Sequence, residues 1–212
     1  MTVRIEPGDF APALPADATE LVFAPGVHRG PLVLTRSAHL RGEDGAILDA
    51  AGFGSVVQVH EDDLELTLEN LTLRGGHADA GAGVRLGGYS TLRLRGCTVE
   101  GCRAPSNTGG GAWAWRGTLV LEDCTFRDNA ARAGSDVMAT GTARVEILRG
   151  TYAGDLAARE GATLLLEDAR VEGRLDVRGT TTRAPSVRLV GSAPAGGVHN
   201  DPVLPGVVAE DG

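Results

Sequence analysis

One strand cassette returns six times along this chain, and a repeat of that kind restricts the fold before any single residue suggests a chemistry. The copies read LTLENLTL from Leu66, LRLRGCTV from Leu92, LVLEDCTF from Leu119, VEILRGTY from Val145, LLLEDARV from Leu164 and VRLVGSAP from Val187. Their starts are separated by 26, 27, 26, 19 and 23 residues, a period that belongs to solenoids. Each cassette alternates apolar with polar residues, the pattern of a strand with one buried face. In the third copy Leu119, Leu121, Cys124 and Phe126 are expected to point inward. The phase slips by one residue at Glu122-Asp123, so two short strands meet there at a bend.

A second, Gly-bounded strand lies between cassettes, at residues 81–88, 109–117, 134–141 and 154–161. The 31 glycines and 4% aromatic content suit turns and stacked aliphatics better than a helical bundle. Successive coils are then expected to pair in parallel at about 4.8 Å, so that seven or eight of them make a rod about 35 to 40 Å long.

These segments resemble the right-handed parallel β-helix proteins, the broad group of pectate-lyase-like and polymorphic-outer-membrane-type repeats. Phe23 to Leu34 (FAPGVHRGPLVL) is similar to that group's entry segment, Leu40 to Asp49 (LRGEDGAILD) to its next coil, and Leu119 to Asn129 (LVLEDCTFRDN) to its coil motif. The resemblance implies an all-β fold, a single-stranded right-handed parallel β-helix of about 7–8 coils. It runs over residues 19–194, between an N-terminal cap at 1–18 and a C-terminal tail or cap at 195–212. It implies no particular activity, because the group holds lyases, hydrolases, epimerases, adhesins and proteins without known chemistry.

Composition excludes several chemistries. All 20 basic residues are arginine, as a GC-rich genome favours, so Schiff-base and Walker-type lysines are absent. A net charge of −8 opposes binding to nucleic acid or anionic membranes. The N-terminus lacks the features of a secretory signal and no window approaches a membrane span, which gives the expectation of a cytoplasmic protein. Cys97, Cys102 and Cys124 make no metal spacing, the five histidines are scattered, and no dinucleotide or phosphate-loop motif appears. No cofactor or metal is therefore expected. Cys97 and Cys124 share one cassette position and should stack inside as reduced thiols. Asn129 falls where the group resembled here often places a corner asparagine.

Two strand faces carry the functional argument. Trp113 and Trp115 alternate with alanines; the expectation is that both fill the core beside Val84, Leu86, Val137 and Ala139. Were that strand turned over, the tryptophans would form a sugar-stacking platform. With the tryptophans inward, Arg85, Arg116, Asp136, Asp155, Asp176, Arg159 and Arg178 are expected on the outer face. In enzymes of the resembled group that face holds the chemistry, which nominates Asp136, Asp155 and Asp176 with Arg159 or Arg178 as catalytic residues of a polysaccharide lyase or glycoside hydrolase. The structural alternative is a set of exposed cross-strand ion pairs. On balance the chain reads as a non-catalytic binding or scaffold protein that presents a face or an end to a protein partner or a polysaccharide. The carbohydrate-active enzyme is the alternative, and self-assembly through the coil ends a third reading.

Overall fold

The computed structural model describes residues 1–9, 17–179, 183–200 and 208–210. Within them every strand pairing in the sheets is parallel. Sheet I has ten strands, sheets II and III have eight each, and a fourth sheet is a single pair. The chain visits I, II and III in turn and then returns to I one rung further on, which is a parallel β-helix. Parallel connections that return to the same sheet follow the strand twist and coil to the right.

The cassettes are the rungs of sheet I and the start of sheet II. Leu66, Leu92, Leu119, Val145, Leu164 and Val187 stand in direct register, one per rung, and all are buried. Leu119, Leu121, Cys124 and Phe126 point inward as the alternation requires, each 0% exposed. The slip at Glu122-Asp123 is the corner between sheets I and II. Asp123 takes φ 52° there, and Asn70, Gly96, Arg149 and Asp168 occupy the same left-handed region at the corresponding corners. Asn, Asp and Gly tolerate that region with least strain. Inside, Phe126 and Tyr152 stack at 5.0 Å with 21° between planes. Cys97, Cys102 and Cys124 are buried free thiols.

The ladder begins within the segment expected to be a cap: Thr2–Ile5 pairs with Glu20–Phe23. It also continues within the expected tail, where Val198–Asn200 pairs with Leu175–Arg178 and Val208–Glu210 with Ser186–Val190. Residues 10–16, 201–207, 211 and 212 of those two segments lie outside the described residues.

Along the edge of sheet I and its corner to sheet II, opposite charges meet across rungs. Arg95 lies 3.5 Å from Glu69 and 3.1 Å from Glu122, and Arg149 lies 2.7 Å from Glu122 and 2.8 Å from Asp123. Among the described residues no helix is long and apolar enough to cross a membrane.

Candidate functional site

The tryptophan strand is turned over relative to the sequence expectation. In sheet III the strand Ala112–Ala114 is held by its neighbours so that Ala112 aligns with Val84 and Val137, and Ala114 with Leu86 and Ala139. Both alanines are 0% exposed, while Trp113 is half-buried and Trp115 is 41% exposed. Alternation of Ala with Trp fixes the period but not the face, since either residue is acceptable in an apolar interior. The register with the neighbouring rungs decides, and a Cβ on Gly111, just before the strand, would lie 2.6 Å from the Phe126 ring, so the interior is closely filled where the strand begins.

Outside, the side chains form a ladder. Arg85, the register partner of Trp113, holds its Cζ 5.4 Å from the Trp113 ring centroid. Trp113 and Trp115 lie with centroids 6.4 Å apart and planes 19° from parallel. Arg116 completes the row, with Cζ 3.9 Å from the Trp115 centroid and 5.2 Å from that of the exposed Tyr89. Glycines let the turns approach these rings: a Cβ at Gly109 would sit 2.8 Å from the Trp113 Cβ, and one at Gly141 2.9 Å from the Trp115 Nε1.

The same outward column continues through Met138, Ala157, Asp176 and His199. At about 4.8 Å per rung it extends about 24 Å from Arg85 to His199. Met138 and Ala157 are buried although they face out. Beyond them opens a cavity of about 330 Å³ lined by Arg132, Gly134, Asp155, Arg159, Arg174, Asp176, Arg178 and His199, among others. Arg132 and Ala133 come from the strand Ala130–Ala133, which pairs with Arg103–Thr108 and so stands beside sheet III as one wall.

Four of the five nominated catalytic residues, Asp155, Asp176, Arg159 and Arg178, therefore share one cavity. Each carboxylate there is engaged by arginine. Asp176 accepts from Arg159 Nη2 at 2.9 Å and from Arg178 Nε at 2.8 Å. Asp155 accepts from the Arg174 backbone N–H at 2.8 Å and from its guanidinium at 3.2 Å. The fifth, Asp136, is a correction: it does not stand on the outer face but is 0% exposed at the corner before its strand. Its carboxylate accepts from Gly154 N–H at 2.6 Å and from Asn129 Nδ2 at 3.1 Å. Burial raises its pKa, and these donors oppose the shift. Asn129 also accepts from Cys102 N–H and donates to Val99 O, so the corner is a structural network. Among the described residues no group of three His, Cys, Asp or Glu side chains is placed to hold a metal ion.

The molecule belongs to the class of parallel β-helix proteins and carries an aromatic and arginine row beside an arginine-lined cavity on one sheet. No family model and no curated protein matches the chain. Among solved structures it is similar to a pectin methylesterase mutant in complex with a hexasaccharide, at 17% identity and a TM-score of 0.37. That likeness covers 91% of this chain and 61% of the other, so this chain spans less than two thirds of that protein.

Sequence reasoning placed Arg85 and Trp113 on opposite faces, whereas register puts them on the same one. It also missed Tyr89, Arg132, Arg174 and His199. The signal available for Trp113 was the parity of AWAW against GVRL: aligning the two strands at their apolar positions Val84 and Leu86 places the alanines, not the tryptophans, inside.

Proposed function

We propose that this protein is a non-catalytic saccharide-binding β-helix whose binding face is the outer surface of sheet III. The observation that carries this reading is the outward pair Trp113 and Trp115, one of them 41% exposed, on a rigid ladder. Outward indoles give large apolar area with little conformational freedom to lose, and the guanidiniums of Arg85 and Arg116 that flank them offer donors to hydroxyl and acidic groups. The ordered rungs of a solenoid hold these groups in place before binding, which lowers the entropic cost of association. A calorimetric panel of neutral and acidic oligosaccharides tests it. Binding that is lost in Trp115→Ala supports the reading; no binding to any of them, or binding unchanged in that variant, overturns it.

One observation favours a second reading, a carbohydrate-active enzyme: Asp155, Asp176, Arg159 and Arg178 line a single cavity. General acid and base work requires a carboxyl group free to exchange a proton with substrate, whereas both carboxylates here face arginine donors. If catalysis occurs, Asp155→Ala should abolish turnover of an acidic polysaccharide while the thermal midpoint stays nearly unchanged. Equal turnover in the variant removes Asp155 from the reaction.

A further inference from the structure

The cavity has an excess of positive charge that its own carboxylates do not neutralise. Arg132, Arg159, Arg174 and Arg178 face Asp155 and Asp176, four cations against two anions, on a protein whose net charge is −8. The pairing leaves specific donors over. Asp176 is shared by Arg159 and Arg178, Asp155 is taken by Arg174, and Arg132 has no ion-pair partner among the described residues. Arg132, exposed and on the cavity wall, is the donor group left over.

From these residues we infer that the cavity is an oxyanion site that takes a phosphoryl dianion. The local excess of two positive charges matches a phosphate monoester, close to doubly charged at neutral pH, or inorganic phosphate, which becomes so at slightly alkaline pH, better than a singly charged carboxylate. Guanidinium forks on several rungs can each present paired N–H donors to tetrahedral oxygens. His199, exposed at the end of the column and in register with Asp176, adds a further polar group to the rim. The site lies on the same face as the tryptophans. This inference rests on the saccharide reading only for the source of the phosphoryl group, a phosphorylated sugar rather than the free ion.

Calorimetric titration of the full chain at about pH 8, where both phosphoryl probes are dianions, with inorganic phosphate, with glucose 1-phosphate and with acetate decides the matter. Expected is binding of both phosphoryl probes, with acetate at least about tenfold weaker, and a loss of about tenfold or more in Arg132→Ala, as removal of a charged hydrogen-bond donor implies. Arg132 is exposed and makes no ion pair among the described residues, so its replacement should leave folding intact; Arg174→Ala, at an exposed side chain, should weaken binding in the same sense. Tighter binding of glucose 1-phosphate than of phosphate identifies the sugar-borne group as ligand, and equal binding the free ion. No binding of either phosphoryl probe, acetate bound as tightly as phosphate, or phosphate binding unchanged in both arginine variants overturns the proposal. Trp115→Ala should leave phosphate binding unchanged while removing oligosaccharide binding, so the two readings fail separately.

Discussion

Asn129 Nδ2 donates to Asp136 Oδ1 across 3.1 Å, and this pair ties the corner of one coil to the strand that follows it. Asp136 also accepts from the Gly154 N–H of the next coil, so the carboxylate joins two rungs. A residue nominated for catalysis is in this way committed to the scaffold.

Replacing Asp136 should therefore alter stability. Asp136→Ala leaves Gly154 N–H and one Asn129 donor unpaired in a buried corner, with an expected loss of about 2 to 4 kcal/mol read from urea unfolding. Burial raises the native pKa above the ordinary 3.8. The native state thus holds this proton more tightly than the unfolded chain, and the residue's contribution falls as pH rises through its raised native pKa. The stability of the native protein relative to Asp136→Asn should decline over that interval and level off above it; a difference that grows with pH contradicts this account.

Trp115 projects from the ladder with its neighbours already packed beneath it. Trp115→Ala should shift the thermal midpoint by only a degree or two, because the side chain is 41% exposed and surface substitutions stay within about 0.5 kcal/mol. Ala114→Trp, one residue earlier, should prevent folding, since the interior at that rung has no space for an indole. Circular dichroism melts compare the two.

Tyr152 is fully buried and stacked on Phe126, yet its hydroxyl has no hydrogen-bond partner among the described residues. Removing an unsatisfied buried oxygen without changing the ring should stabilise. Tyr152→Phe is expected to gain about 1 kcal/mol in denaturant unfolding; a loss of similar size would mean that the hydroxyl is satisfied.

The three thiols should be silent in the folded protein. Burial pushes Cys97 and Cys102 up to about 11 and Cys124 higher still, and the thiolate is the reactive form. A thiol reagent at pH 8 should find none of them until denaturant is added, and then all three. Rapid labelling of the native chain would contradict the burial described above.

Much of the fold was legible because its evidence is local and repeated. Leu119, Leu121, Cys124 and Phe126 declare their face through spacing alone, and the slip at Asp123 marks the corner that its left-handed φ then makes. Asp176, Arg159 and Arg178 were legible as a group because alternation within their strands puts them outside. Asp136 and Asp155 both precede their strands, where alternation no longer governs direction, and they part there: Asp136 turns into the buried corner while Asp155 lines the cavity. Arg132 and Arg174 were not legible: their place at the cavity depends on how turns from different coils lie beside one another.

Sequence alone determined that this chain winds into stacked parallel rungs, because one buried face per strand, recurring at a solenoid period, leaves few other ways to remove so many aliphatic side chains from water. Only the tertiary structure decided which face of the Ala112–Trp115 segment is the interior. Alanine and tryptophan both suit an apolar core, so hydrophobicity does not choose between them. Register across the coils does: pairing sets Ala112 beside Val84 and Val137 and Ala114 beside Leu86 and Ala139 in a closely packed interior, which leaves the indoles on the outer face.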